Sequence, residues 1–260
     1  MQVSAVQFDI AWQDKPANRE RVGAMVATAR PQEGTLIVLP EMFATGFSMD
    51  AGSIAEPPGG PTEGFLAGLA RTHRLYVVGG VAATTPEGTR ANQAVAFGPG
   101  GDLLGRYAKR RSFTLAGEDR HYTAGERAVV WSVGPLRVAP AVCYDLRFPE
   151  LLREATAAGA ECLVVIANWP AVRAAHWRAL LVARAIENQA FVVGVNRVGR
   201  DPNADYAGGS LIVDPTGEVL VEAASDPTVL HANLDPQLLR DWRRQFPAID
   251  DLRSAGAGSG

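Results

Sequence analysis

Cys143 ends the apolar run Leu136–Val142 and is followed at once by Tyr-Asp-Leu-Arg-Phe-Pro-Glu, residues 144–150. The pattern reads as a buried strand, a tight turn and the start of a new helix. A thiol on such an elbow lies beside the unpaired backbone N–H groups that open a helix. That setting is expected to lower its pKa and to offer donors to a developing oxyanion. Two further residues sit in matching places. Glu41 follows the run Leu36-Ile-Val-Leu-Pro40, and Lys109 follows Leu103-Leu-Gly-Arg-Tyr-Ala108. A thiol is a poor nucleophile until a base takes its proton and a cation stabilises its anionic partners. Glu41 supplies the base and Lys109 the cation, so the three together suit attack on a carbonyl carbon.

The elements that must position them alternate along the whole chain. Strands are expected at 2–8, 36–39, 75–81, 92–97, 102–107, 128–132, 136–142, 162–166, 191–196, 209–213, 218–222 and 228–233. Several are near-continuous apolar runs, as strands covered by helices should be. Helical patterns cover about 16–30, 62–73, 148–158, 174–189 and 236–244. Gly98-Pro-Gly-Gly101 and Asp214-Pro-Thr-Gly217 fall between β-rich runs and read as hairpin turns. No linker, repeat or charge block divides the chain. The expectation is one α/β domain over 1–250, layered on two sheets. Residues 251–260, ending in Ser-Ala-Gly-Ala-Gly-Ser-Gly, read as a disordered tail.

Bulk properties remove other classes. The formal charge of −3 is spread over interspersed charges of both signs, so nothing points to nucleic acid or a membrane surface. No stretch reaches the roughly 18–20 apolar residues of a membrane span. Of the two cysteines, Cys162 opens the run Cys-Leu-Val-Val-Ile-Ala and reads as a small buried hydrophobe rather than a disulfide partner. A cytoplasmic enzyme in a reducing compartment is the expected class. No spacing of His, Cys and carboxylates forms a metal site, and no glycine run has the context of a dinucleotide loop. Neither a metal nor a cofactor is therefore expected. No protease signature surrounds Cys143, and His176 reads as a packing residue.

Leu39-Pro-Glu41-Met-Phe, Lys109 in Tyr-Ala-Lys-Arg, and Val142-Cys143-Tyr-Asp-Leu-Arg-Phe-Pro-Glu150 together resemble the nitrilase (carbon–nitrogen hydrolase) superfamily. The resemblance covers roughly residues 1–245. It implies a four-layer α-β-β-α sandwich, a Glu41–Lys109–Cys143 triad and a homodimer. Asn168-Trp-Pro170, His176-Trp177, the stretch 183–189 and Gly194-Val-Asn-Arg-Val-Gly199 look like the bacterial ω-amidase group. That branch implies hydrolysis of the terminal amide of 2-oxoglutaramate or 2-oxosuccinamate through a Cys143 thioester. Glu118 matches a second glutamate carried near the triad in many members, where it positions the substrate amide or holds Lys109. The chain departs from the family where Arg111-Ser-Phe113 replaces a common His-Leu-Phe.

The expected oxyanion donors are the Lys109 ammonium and the Tyr144 backbone N–H. An α-carboxylate on the substrate calls for a cation other than Lys109. Arg147 and Arg173 are the candidates, with Trp169 as an apolar wall. Arg147 could equally form a structural ion pair with Asp145 or Glu150, and Arg184 with Glu187 reads as a helix-supporting pair. An amidase for another small linear amide or an N-carbamoyl amino acid is the alternative activity. A non-catalytic scaffold relative is the alternative from another class, and would show an unreactive Cys143.

Overall fold

The computed structural model describes residues 1–85 and 87–255, with the backbone alone from 252 onward. Its strands are β1 (Gln2–Gln7), β2 (Leu36–Val38), β3 (Tyr76–Thr84), β4 (Arg90–Phe97), β5 (Leu103–Ala108), β6 (Trp131–Val133) and β7 (Leu136–Val142). They continue as β8 (Cys162–Ala167), β9 (Phe191–Asn196), β10 (Val198–Arg200), β11 (Asp205–Ala207), β12 (Leu211–Val213), β13 (Val219–Glu222) and β14 (Thr228–Asn233). The helices are α1 (Lys15–Ala29), α2 (Ala51–Ile54), α3 (Pro61–His73), α4 (Pro149–Ala157), α5 (Ala174–Asn188), α6 (Pro236–Gln245) and α7 (Ala248–Ala255).

Two six-stranded sheets, ordered β14-β1-β2-β3-β4-β5 and β13-β12-β9-β8-β7-β6, stack face to face. Strand periodicity explains the continuous apolar runs. Leu36 and Val38 point into the layer between the sheets, where they meet Val138, Val164 and Val193. Ile37 and Leu39 point the other way, onto Val22 and Val26 of α1 and Leu66 and Leu69 of α3. The second sheet repeats the scheme: Cys162, Val164 and Ile166 face inward, and Leu163 and Val165 face Leu152 of α4 and Leu181 of α5. Each such fully buried side chain contributes about 1.5–3 kcal/mol. The result is the four-layer α-β-β-α sandwich.

Both expected hairpins form, between β4 and β5 and between β12 and β13. Cys162 is buried and free. Arg184 pairs with Glu187 at 2.9 Å. The tail expectation needs correction: residues 251–255 continue helix α7, and 256–260 lie outside the described residues. The extra hairpin β10–β11 and the short helix α2 were not foreseen. Among the described residues no helix is long and apolar enough to cross a membrane.

β1, β2 and β3 run parallel in one sheet, and β7, β8 and β9 in the other. β5 runs in the same sense as β3 because two antiparallel pairings separate them. Glu41, Lys109, Cys143 and Asn168 therefore all leave the C-terminal ends of strands β2, β5, β7 and β8. That is the edge at which open α/β sheets place their ligands.

Candidate active site

Glu41 is fully buried. The chain leaves β2 through Leu39 and Pro40, and the Glu41–Met42 backbone then presses against Gly80 of β3. A Cβ on Gly80 would stand 2.4 Å from the Met42 nitrogen and 2.5 Å from the Glu41 Cα, so no larger residue fits there. Glu41 Oε1 accepts from Lys109 Nζ at 3.0 Å and from Asn92 Nδ2 at 2.7 Å. Its Oε2 accepts from the Asn168 backbone N–H at 2.8 Å. The Asn168 side chain also donates to the Glu41 carbonyl at 2.6 Å.

Glu118, also buried, completes the cluster. Its Oε2 lies 2.9 Å from Lys109 Nζ and accepts from the Phe113 N–H at 2.6 Å. Asn92 Nδ2 bridges the two carboxylates, reaching Glu118 Oε1 at 2.9 Å. One buried ammonium thus stands between two carboxylates, with the Phe47 ring 5.0 Å from it. Burial alone would lower the Lys109 pKa, but the charges of Glu41 and Glu118 reverse this and raise it. Lys109 is a fixed cation at any working pH. Two of its three N–H donors meet the carboxylates, leaving one for a substrate oxygen.

Cys143 adopts φ = +46°, a conformation that L residues other than Asn and Asp seldom take. It begins the 3₁₀ turn Cys143–Arg147, which runs into α4 at Pro149. The elbow is as the sequence indicates, but the expected fall in thiol pKa is overturned. Burial raises it well above the ordinary value; the carboxylate of Glu41 adds to the rise, Lys109 opposes it, and Glu118 adds again. Cys143 Sγ points toward the Asn168 carbonyl, 3.9 Å away. Tyr144 carries one of the first N–H groups of the turn, which have no acceptor within it.

Three residues that hold this site were missed in the sequence: Asn92, Asn168 and Asp145. Asn92 and Asn168 act through β4 and β8, whose register against Glu41 no local pattern reveals. Asp145 lies two residues from Cys143 and is fully buried. Its Oδ2 accepts from the Val142 N–H at 3.0 Å and the Tyr107 hydroxyl at 2.8 Å. Its Oδ1 accepts from the N–H groups of Arg110 and Arg111 at 3.2 and 2.8 Å. Asp145 therefore ties the thiol-bearing elbow to the strand end that carries Lys109.

Burial pushes the Asp145 carboxyl up to about 6, against the pull of the Val142 N–H, Lys109 and Tyr107. The sign matters. A raised value means the folded state binds the proton more readily than the unfolded chain, so acid does not unfold the protein through this group. What acid changes is the local match, because a protonated carboxyl must donate where three of its four partners are backbone N–H groups that can only donate. Activity (kcat/KM) is expected to fall as pH drops below about 6 while the melting temperature shows no matching loss. Asp145→Asn places an amide N–H₂ among the same donors, a mismatch of about 1–3 kcal/mol. It should lower kcat about tenfold or more at every pH and remove the acid limb; a wild-type profile in the variant would refute the role.

A cavity of about 630 Å³ opens over the thiol. Its floor includes Lys109, Cys143 and Tyr144, and Arg147, Trp169 and Arg173 line it as expected. The Arg147 guanidinium stacks 4.7 Å from the Trp169 ring, and its Nη2 lies 3.2 Å from His176 Nδ1. It pairs with neither Asp145 nor Glu150 among the described residues; Glu150 faces Arg111 at 3.4 Å. Arg173 lies over Phe113 at 5.5 Å, so the aromatic that this chain keeps from the family's His-Leu-Phe contributes to the pocket wall, whereas the departing Arg111 and Ser112 do not line it. The opposite wall is Asp201–Tyr206, from the hairpin β10–β11.

A buried base, a fixed cation and a thiol at the foot of a cation-lined pocket can attack and hydrolyse a carboxylic amide. Comparison with known proteins agrees. An omega-amidase, YafV, of Yersinia enterocolitica is 40% identical over 253 residues, covering 96% of each chain. A 2-oxoglutaramate amidase of Bacillus subtilis is 32% identical over 252 residues, covering 96% of this chain and 97% of its own. XC1258 of Xanthomonas campestris, a CN-hydrolase superfamily protein whose crystal structure carries an arsenic adduct in its active site, superposes with a TM-score of 0.91. It shares 35% identity over 96% of both chains. With the Carbon-nitrogen hydrolase family profile matching residues 2–244, the chain belongs to the carbon–nitrogen hydrolase family.

Proposed function

We propose that this chain is a thiol-dependent ω-amidase, converting 2-oxoglutaramate or 2-oxosuccinamate to the 2-oxo dicarboxylate and ammonia. The observation that carries the reading is the buried Glu41–Lys109–Glu118 cluster beside Cys143, at the floor of a pocket lined by Arg147 and Arg173. The names of the bacterial relatives support the substrate class.

Glu41 takes the Sγ–H proton as Cys143 attacks the amide carbon and the carbonyl electrons move onto oxygen. The oxyanion accepts from the remaining Lys109 N–H and from the Tyr144 N–H. Glu41 then gives the proton to the amide nitrogen; the C–N bond breaks, ammonia leaves and a thioester remains. Water, losing a proton to Glu41, attacks that carbonyl. The C–S bond breaks, and the sulfur recovers its proton from Glu41. The high thiol pKa suits this cycle, since a more basic sulfur is a stronger nucleophile once deprotonated. Glu118 and Asn92 keep Glu41 and Lys109 in place and take no proton.

The substrate carboxylate is assigned to the cations lining the pocket. Arg147, held by Trp169 and His176, presents a preset planar fork. Arg147→Ala is expected to raise KM for the oxo-amides about tenfold or more, the loss of a charged hydrogen bond. Simple aliphatic amides should change little. An equal loss on both classes would make Arg147 structural.

The two arginines favour one second reading, an amidase for another carboxylate-bearing amide such as an N-carbamoyl amino acid. Ammonia release from a panel of both oxo-amides, glutamine, an aliphatic amide, an N-carbamoyl amino acid and a nitrile separates the two. Turnover confined to the oxo-amides supports the ω-amidase; silence there with activity elsewhere removes it. A homodimer and a reducing, cytoplasmic setting that keeps the Cys143 thiol free belong to the same proposal.

A further inference from the structure

The segment Asn196-Arg197-Val198-Gly199 leaves the end of β9, beside the pocket but outside the reacting cluster. Asn196 Oδ1 accepts from the Trp169 N–H at 2.8 Å, and its Nδ2 donates to the Trp169 carbonyl at 3.1 Å and the Gly208 carbonyl at 2.9 Å. One side chain thus pairs both polar groups of the Trp169 backbone. Trp169 in turn donates from Nε1 to the Arg173 carbonyl at 2.8 Å. Asn196 therefore fixes the wall that carries Trp169 and Arg173.

Arg197 does the same for the opposite wall. It is 0% exposed, a rare state for a guanidinium; its Nε and Nη2 are hydrogen-bonded, whereas Nη1 makes no hydrogen bond among the described residues. Its Nη2 donates to Asp9 Oδ1 at 2.9 Å and to the carbonyls of Ile10 and Arg200 at 3.1 Å each. Its Nε donates to the Val198 carbonyl at 3.1 Å. Its carbon centre lies 4.4 Å from the Tyr206 ring, and Nη1 lies 3.9 Å from Asp201 Oδ2. Asp201 closes the tip of the β10–β11 hairpin, accepting from the N–H groups of Asn203 and Ala204 and from the Tyr206 hydroxyl at 2.7, 2.9 and 2.6 Å. Gly199 has φ = +81°, and a Cβ there would stand 2.1 Å from Asp9 Oδ1. Its bare backbone lets the Asp9 carboxylate reach Arg197.

We propose that Asn196–Gly199 is a positioning block that sets the separation of the two pocket walls, and so decides which amides are accepted. None of its side chains needs to touch the reacting atoms. The proposal rests on reading this pocket as the amide site. Both walls are short elements: one is a 3₁₀ turn at Ala171–Arg173, the other a hairpin of three-residue strands. A supporting shell is what holds such walls to the tolerance that recognition needs.

The test is steady-state kinetics of Arg197→Lys and Asp9→Ala beside the wild type, with melting curves for each. Lysine keeps the charge but cannot span four acceptors. Asp9 has a half-exposed side chain outside the pocket, so its variant decides the matter if Arg197→Lys does not fold. For 2-oxoglutaramate, KM should rise about tenfold in Arg197→Lys and about threefold in Asp9→Ala, with kcat within about threefold of wild type. Propionamide kinetics should be nearly unchanged. A folded pair with unchanged KM, or a fall in kcat at constant KM, overturns the proposal. If wild type turns over no oxo-amide, the substrate reading has failed, and the walls are then tested by labelling Cys143. The ratio of iodoacetamide to N-ethylmaleimide rates should shift about fivefold in a folded variant; an unchanged ratio overturns the block.

Discussion

Cys143→Ala is expected to lower amide turnover by at least about 10⁴-fold and to leave the fold intact. The loss is large because no neighbouring group can take over bond formation to the carbonyl carbon. Glu41 and Glu118 are committed to Lys109 and Asn92. The fold should survive because alanine meets the same backbone cost at φ = +46° as cysteine does. The thiol's polar contact is a long one, 3.9 Å to the Asn168 carbonyl. Circular dichroism and a melting curve on the purified variant separate lost chemistry from lost structure. Turnover within tenfold of wild type would mean that another group is the nucleophile.

Glu41→Gln is expected to lower kcat by about 10²–10⁴-fold, the usual worth of a positioned general base. Glutamine fills the same space and can still accept from Lys109 through its carbonyl. Its N–H₂ group would then face the Asn168 N–H, which Glu41 Oε2 now accepts. The Cys143 thiol makes this variant informative. Its pKa is raised by burial first and by Glu41 next. Removing the negative charge should therefore let the thiol ionise at lower pH while denying it a base. Iodoacetamide should label Cys143 faster in Glu41→Gln than in wild type near neutral pH, even as turnover collapses. Slower labelling together with lost turnover would indicate a misplaced thiol rather than a missing base.

Much of this candidate site is legible in the sequence. Glu41, Lys109 and Cys143 each stand immediately after an apolar run, and a strand's end is where a side chain meets an open crevice. Glu118, on a turn nine residues past Lys109, is legible only through the resemblance to a family that carries a second glutamate there. Asn92 and Asn168 were not legible, because their partners lie 51 and 127 residues away. Only the stacking of two sheets brings them to Glu41. Asp145 stands within the motif, but the sequence offers it only as a possible partner for Arg147, since four backbone and hydroxyl donors cannot be seen in a sequence. The sign of the Cys143 shift failed for a related reason. The elbow's N–H groups are local, whereas the burial and the two carboxylates that outweigh them arrive from other segments. The β10–β11 hairpin escaped notice because Asp201-Pro-Asn-Ala-Asp205 reads as a polar loop. Its order comes from Arg197, a residue that polarity alone would place at the surface.

In the proposed reaction the acyl group of a 2-oxo dicarboxylic monoamide passes through a thioester on Cys143. Acid-quenching the enzyme during turnover of 2-oxoglutaramate, followed by intact mass and peptide mapping, observes that step directly. The expected result is a 2-oxoglutaryl adduct confined to the peptide containing Cys143, released by hydroxylamine and absent from Cys143→Ala. An adduct on another residue, or sustained ammonia release by Cys143→Ala, would contradict it.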